Sequence, residues 1–171
     1  MKKVLIILVA TVFSFSTYSQ NPVDDVFNKY SGREGFTVVN VNGSLLKLLS
    51  KADPGDQDLQ NLTASINGIK ILVQEEKLDD VQNFHSLIYD KLDKNIYKEM
   101  LTIKESDQDV NILVVEDGDF ISEFLLIVSG NDENVLISIK GKIRLEDLSR
   151  LGNSLNMEGM DKLGLMDELN N

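Results

Sequence analysis

The chain has 171 residues, a formal net charge of −11, no cysteine and one histidine. The missing cysteines exclude disulfides, thiolate metal sites and cysteine nucleophiles, and a single histidine excludes metal sites built from several histidines. A chain this acidic repels phosphate backbones and anionic lipid surfaces, so direct nucleic-acid binding is not expected.

Residues 1–19 have the order of a secretory signal peptide. A positive start, Met1-Lys2-Lys3, precedes a short apolar run and then polar serine and threonine residues. Thr17 and Ser19 are the small residues expected before a cut between Ser19 and Gln20. The apolar run is shorter than the ~20 residues that a transmembrane helix needs, although a retained N-terminal anchor is the alternative. We therefore expect a mature protein that is periplasmic or extracellular, with no transmembrane segment. Cleavage removes two lysines and no acid, which makes the mature net charge −13.

The first predicted elements of the mature chain are a helix and a strand. Pro22 suits the first turn of a helix, and Ser31-Gly32 ends it. The run Phe36–Val41 is rich in β-branched residues and predicts the first strand.

The next segment predicts a crossover unit. Ser44 is a candidate cap for a helix whose apolar stripe contains Leu45, Leu48, Leu49 and Ala52. A helical pattern resumes after the break at Asp53-Pro54-Gly55 and leads to a second strand, Ile69–Val73. The two strands are separated by roughly 25 residues of helical pattern. This arrangement predicts two parallel strands joined by a right-handed crossover.

The longest predicted helix begins at Asp79 or Asp80 and places Val81, Phe84, Ile88 and Leu92 on one side. Tyr97–Ile103 is weakly strand-like. A β-meander follows, because three apolar runs are separated by polar turns. The runs are Val110–Val115, Phe120–Val128 and Val135–Ile143.

Two patterns within the meander predict its packing. Phe124–Val128 is apolar at every position, which predicts a central strand covered on both faces. In the last run, Ile137 and Ile139 alternate with Ser138 and Lys140, which predicts one buried and one wet face. A short helix over Arg144–Leu151 is expected to follow.

The tail, residues 156–171, is rich in methionine, leucine and acidic residues. Met157, Met160, Leu163 and Met166 recur at three-residue spacing, while two glycines weaken a helix by ~1 kcal/mol each. Two interpretations remain open: a marginal helix docked on its own domain, and a segment that binds a partner.

Four stretches of the mature chain form a recognisable set: Phe27–Tyr30, Gly35–Val38, Ile121–Leu125 and Val135–Ile143. In this order behind a signal peptide, they resemble a domain-of-unknown-function family of small exported proteins from Bacteroidota-type bacteria. The resemblance covers roughly residues 22–155. It implies no activity and no functional residues, because the family has no established activity. Some members resemble lipoproteins with a cysteine at the cleavage site, a residue that this chain lacks.

We assign no catalytic, cofactor-binding or metal-binding residue, and no cofactor, from the sequence. The acids Glu116, Asp117 and Asp119 around Gly118 lack the spacing of an EF-hand loop and indicate a polar hairpin turn. Asp132-Glu133 indicates another turn, and the acids at 53, 56 and 58 suit a helix start. His85 has no GxSxG serine, cysteine or second histidine to act with, which indicates a surface or boundary position.

The sequence therefore predicts a signal peptide over residues 1–19, a single α+β domain over 20–155 and the tail over 156–171. The domain is expected to hold one mixed sheet of five or six strands, built from the crossover unit and the antiparallel meander, with helices mainly on one face. The predicted function is that of a non-enzymatic binding or interaction module of the cell envelope. The alternative is a carboxylate-dependent hydrolase, which a buried carboxylate pair in a deep pocket would favour. The sequence does not identify the partner, the ligand or the oligomeric state.

Overall fold

The computed structural model describes residues 21–52, 55, 57–131 and 133–144. The predictions that fall on residues 1–20 and 145–171 lie outside these residues. They are the signal peptide with its cleavage site, all but the first residue of the helix over Arg144–Leu151, and the tail. In the described part, no helix is long and apolar enough to cross a membrane.

The described residues form an α+β fold with one open, six-stranded sheet, and the predicted class is confirmed. The strand order is β1-β2-β6-β5-β4-β3, and every neighbouring pair is antiparallel. In chain order the elements are α1 (Pro22–Tyr30), β1 (Phe36–Asn42), α2 (Gly43–Ala52), α3 (Gln57–Ser65), β2 (Ile66–Gln74), α4 (Phe84–Leu87), a 3-10 turn (Tyr89–Lys91), β3 (Lys98–Lys104), β4 (Gln108–Asp117), β5 (Phe120–Gly130) and β6 (Asn134–Ile143).

Helix α1 forms where the sequence predicts it. Pro22 occupies the first turn, where its missing N–H costs nothing, and the Asn21 side chain accepts a hydrogen bond of 3.0 Å from the Val23 N–H. The residues at helical spacing are all buried and face the sheet: Val23, Val26, Phe27 and Tyr30.

The predicted parallel crossover is wrong, because β1 and β2 pair antiparallel with Asn42 opposite Gly68. Helices α2 and α3 have ten and nine residues, so each spans about 15 Å. They pack on each other as a helical hairpin, so α3 leads the chain back along the length of α2. The chain therefore re-enters the sheet at the end where β1 left it, and β2 runs antiparallel to β1. As a result the sheet is fully antiparallel rather than mixed. Asn42 rather than Ser44 caps α2, because its Oδ1 accepts a hydrogen bond from the Leu45 N–H.

The long helix predicted from Asp79 or Asp80 is also wrong, although its apolar face is correct. Phe84, Leu87, Ile88 and Leu92 are buried, but the backbone forms only α4 and the 3-10 turn. Local polar groups compete with helix propagation at both ends. Asn83 caps α4 at the His85 N–H, the Phe84 N–H donates to the buried Asn134 side chain, and Asp93 accepts from the Asn95 N–H.

The meander and the central position of Phe124–Val128 are confirmed. Strand β5 lies between β4 and β6, and its residues alternate between two buried clusters. Leu125 and Ile127 face the first cluster, and Phe124 and Leu126 face the second. Consecutive residues point to opposite faces of a sheet, so both faces of this strand are covered.

Helices occupy both faces of the sheet rather than mainly one. On the first face, α1 and α4 pack against Leu72, Leu113 and Leu136 together with Leu125 and Ile127. On the second face, Leu46 of α2 packs against a cluster that includes Ile66, Ile137 and Ile139. The first face of β6 is consequently wet only in part, since Ser138 is buried there while the Lys140 side chain is 42% exposed.

Gly141 permits the close contact between β6 and the junction of α3 with β2. A Cβ atom at this position would lie 2.2 Å from the carbonyl oxygen of Ser65, a contact that no side chain tolerates. The end of β6 is therefore held against the base of the α2–α3 hairpin.

We predict that Ile127→Ala lowers the free energy of unfolding by about 2–5 kcal/mol, because it opens a cavity beneath a fully buried side chain. Chemical denaturation with a two-state fit measures the change. Val39→Ala, at an exposed apolar position on the edge strand β1, is the control and should change it by less than about 0.5 kcal/mol. Equal and small effects at the two positions would contradict the central placement of β5.

Candidate functional site

A polar cluster lies on the first face of the sheet and is centred on Glu123 of β5. The Tyr97 hydroxyl donates to Oε2 of Glu123 at 2.9 Å, and the Ser138 hydroxyl donates to Oε1 at 2.8 Å. Lys140 Nζ lies 3.7 Å from Oε1. Glu123, Tyr97 and Ser138 are all buried. The Glu123 carboxylate, which lies beneath α1, therefore needs hydrogen-bond partners within the protein, and it has one at each of its two oxygens.

The cluster extends outward to the first turn of α1. The Asn21 side chain donates to the Tyr97 hydroxyl at 2.8 Å, and Asp24 accepts a hydrogen bond of 2.9 Å from Lys70. Lys140 lies 3.6 Å from Asp24 and also neighbours Glu123, so it joins two carboxylates. The N-cap and the first turn of α1 are thereby tied to the centre of the sheet.

The electrostatic environment fixes the protonation of two members of the cluster. Burial and then the charge of Glu123 raise the pKa of the Tyr97 hydroxyl above its usual range, so this hydroxyl stays protonated and acts as a donor. Burial opposes ionisation of Asp24, but the hydrogen bond from Lys70 and the charge of Lys140 outweigh it and lower the pKa of this carboxyl.

The geometry of this cluster is suited to holding α1 rather than to acid–base catalysis. A general base must reach the proton that it removes, yet Glu123 is only 7% exposed and both of its oxygens accept hydrogen bonds from hydroxyls. Loss of a partner would leave a buried carboxylate unsatisfied, which costs more than an ordinary hydrogen bond contributes.

Glu123 is not among the candidate residues predicted from the sequence, although the sequence contains a signal for it. Glu123 is the one ionisable residue in the predicted apolar run Phe120–Val128, and it directly precedes the part predicted to be central, Phe124–Val128. A charge in a strand covered on both faces requires buried partners, so its neighbours could have been sought among the predicted polar positions of the adjacent strand. Ser138 and Lys140 occupy such positions on β6.

The structure places His85 at a boundary position of α4, as predicted. Its Nδ1 lies 3.5 Å from Asp90 Oδ1, and its ring packs on Tyr89 with the centroids 4.4 Å apart. The side chain is 23% exposed, and its neighbours belong to the same short segment.

The predicted acidic hairpin turn is confirmed at Gly118 and Asp119, while Glu116 and Asp117 are paired as the last residues of β4. Gly118 has a φ of +63° between β4 and β5, and Glu116 forms an ion pair with Lys98 of β3. Glu133 lines a shallow cleft of about 180 Å³ beside Gly130, smaller than the usual ligand pocket of ~300–1,000 Å³. Asp53, Asp56 and Asp132 lie outside the described residues. Over the described ranges, no group of three or more histidine or acidic side chains is placed to hold a metal ion.

The apolar stripe predicted for α2 faces outward rather than inward. Leu45, Leu48 and Leu49 are 44%, 64% and 49% exposed, while Leu46 alone of the four leucines packs on the second face of the sheet. Residues three and four apart are neighbours on a helix, so the three leucines form one continuous surface. We call Leu45, Leu48 and Leu49 the α2 face.

Lysines accompany the α2 face. Lys47 and Lys51 are exposed on the same helix, and α2 contains no acidic residue. The surface of α2 therefore combines apolar contact area with positive charge, on a chain whose net charge is −11.

The family described as "Domain of unknown function (DUF4252)" matches residues 30–151, which is well over half of the chain. The chain belongs to this family, and the resemblance to a domain-of-unknown-function family is confirmed. No curated protein and no solved structure matches the chain. Export and the bacterial source stay predictions.

We predict that Asp24→Asn lowers stability in a pH-dependent way. Because the folded-state pKa of Asp24 is lowered, its contribution is present above the usual value of 3.8 and is lost as the pH falls through the folded-state value. The difference in free energy of unfolding between wild type and Asp24→Asn should therefore be largest near neutral pH and shrink below about pH 4. Urea denaturation across this range measures the difference. Asp119→Asn, on the exposed β4–β5 turn, is the control, and a pH-independent difference at Asp24 would contradict the assignment.

Proposed function

Since membership of the DUF4252 family names no activity, we propose a function from the surface of the chain: an exported, non-enzymatic binding module of the cell envelope. Its binding surface is the α2 face. Its partner is a segment of another envelope protein that carries apolar residues together with acids.

The exposed leucines are the observation that carries this proposal. Six large apolar side chains are exposed in the described part of the chain, and three of them form the α2 face. Complete burial of an exposed leucine contributes about 1.5–3 kcal/mol, and covering the exposed half of each of these side chains would contribute a corresponding part of it. A helix that packs one partly buried leucine on the sheet and exposes three others gains little stability from those three within its own domain.

The charge on α2 selects the chemistry of the partner. Lys47 and Lys51 would attract acids that flank an apolar segment and would repel basic segments. The rest of the chain is acidic and repels an acidic segment from its other surfaces. Lys47 and Lys51 therefore direct an acidic segment to α2. An amphipathic helix that lies along α2 is the simplest partner of this kind.

The polar cluster supports binding over the hydrolase alternative. Its carboxylates, Glu123 and Asp24, are linked through Lys140 and engaged by neighbouring donors. A glycosidase-like reaction needs two carboxylates that face a shared substrate cleft. The α2 face, in contrast, is directly accessible from solvent.

Export rests on residues 1–19. We predict that the protein purified from its native host begins at Gln20, because Thr17 and Ser19 suit a signal peptidase. Intact-mass spectrometry measures the N-terminus. A chain that retains Met1 would overturn the proposal of export and cleavage.

We predict that the variant Leu48→Ser/Leu49→Ser loses capture of its envelope partner by about tenfold or more. Truncation of central apolar anchors typically costs more than ~1 kcal/mol each, and 1.4 kcal/mol is tenfold in affinity. The full chain is immobilised, incubated with envelope extract from the native host, and the captured proteins are quantified by mass spectrometry.

Two further variants make this experiment specific. Met100→Ser on β3 is the matched control, because Met100 is 52% exposed and lies on the other edge strand of the sheet. Lys47→Glu/Lys51→Glu should lose the same partner while leaving the leucines intact. Equal capture by the α2 variants and the Met100→Ser control would overturn the assignment of the surface.

A further inference from the structure

The tail has the chemistry that the α2 face is expected to bind. Residues 156–171 contain Met157, Met160, Leu163 and Met166 at three-residue spacing. Four acids accompany them against one lysine, Lys162. Methionine adapts its shape to irregular apolar surfaces, which suits contact with exposed leucines.

We propose that residues 156–171 occupy the α2 face in the absence of a partner and that the partner displaces them. The tail is thus an internal competitor. The competition rests on the proposed function, whereas occupancy of α2 by the tail does not.

Charge complementarity favours this location over other surfaces of the chain. α2 carries Lys47 and Lys51 and no acid, whereas the chain as a whole has a net charge of −11. The acids of the tail are repelled by most of the molecule and attracted by α2. Opposite charges beside an apolar contact fix which surface a segment chooses more than how tightly it binds.

The place where β6 ends puts α2 within reach of the tail. β6 ends at Ile143, close to Gly141, which lies opposite Ile66 and against the carbonyl of Ser65 at the end of α3. α3 packs on α2, so the chain leaves the sheet beside the helical hairpin. Residues 144–155 link this point to the tail and reach at most about 40 Å when extended, against about 15 Å for the length of α2.

The glycines of the tail make the occupancy reversible. Gly159 and Gly164 lower its helix propensity, so a helical tail depends on the surface on which it docks. A partner segment without such glycines would order at a smaller entropic cost and replace it.

Paired cysteines test occupancy in the full chain, because the natural chain has no cysteine. Leu48→Cys with Met160→Cys should form an intramolecular disulfide under mild oxidation, read as a mobility shift without reductant. Ile96→Cys with Met160→Cys is the matched control, since Ile96 is 51% exposed outside α2. The α2 pair should oxidise about tenfold faster than the control pair, because docking raises the effective concentration of the thiols. Lys47→Glu/Lys51→Glu should remove this advantage.

Several outcomes would overturn the proposal. Equal oxidation rates for the two pairs would show that the tail has no preference for α2. Predominant disulfide-linked dimers of the α2 pair would assign the face to a second copy. Protection of Leu48→Cys from a maleimide only when anionic vesicles are added would assign it to a lipid surface.

The same variants separate this inference from the proposed function. Fast oxidation of the α2 pair, with partner capture unaffected by Leu48→Ser/Leu49→Ser, would retain tail occupancy and reject the binding surface. Loss of capture in that variant, with equal oxidation rates, would retain the binding surface and reject the tail as its competitor.

Discussion

The two-sided burial of β5 is the constraint on which the rest of the structure depends. A strand that is apolar at every central position needs a neighbour on each edge and a layer on each face. β4 and β6 supply the edges. α1 and α4 cover the first face, and the described contribution of the helical hairpin to the second face is Leu46.

The cost of one buried carboxylate explains how α1 is held on the first face. Glu123 interrupts the apolar strand and requires donors, which Tyr97 and Ser138 supply. Because Tyr97 also accepts from Asn21, the cap of α1 is part of the same network. The packing of Val23 and Phe27 against the sheet and the satisfaction of Glu123 therefore depend on each other.

Local signals in the sequence predicted the elements that local interactions decide. The sequence predicted α1, β1 and the strands of the meander to within a few residues. The signals were Pro22 and the four apolar residues of α1, the β-branched run of β1, and the polar turns of the meander.

The topology and the strand directions were harder to predict, because they depend on how helices and strands pack against one another along the whole chain. The break at residues 53–55 divides one helical span into two opposed helices, which turns a parallel crossover into an antiparallel return. The apolar spacing after Asp79 is regular enough for a long helix, but Asn83 and Asp93 bind backbone N–H groups at its two ends and limit it to α4 and the 3-10 turn. The leucine stripe of α2 predicts amphipathicity, but the sequence alone does not tell whether that stripe faces the sheet or the solvent.

The structure thus combines a sheet that is buried on both faces and holds the polar cluster with a helical hairpin whose helix α2 presents exposed leucines and lysines. Native-state hydrogen exchange on the full chain tests most directly whether α2 opens apart from the sheet, because it reports the free energy at which each segment opens. The slowest amides should lie on β5 and β6 and exchange only with global unfolding. The amides of α2 should exchange through a local opening of lower free energy. If the α2 amides instead exchange with the same free energy as those of β5, the helix is an integral part of the core and its leucines are not a separate binding surface.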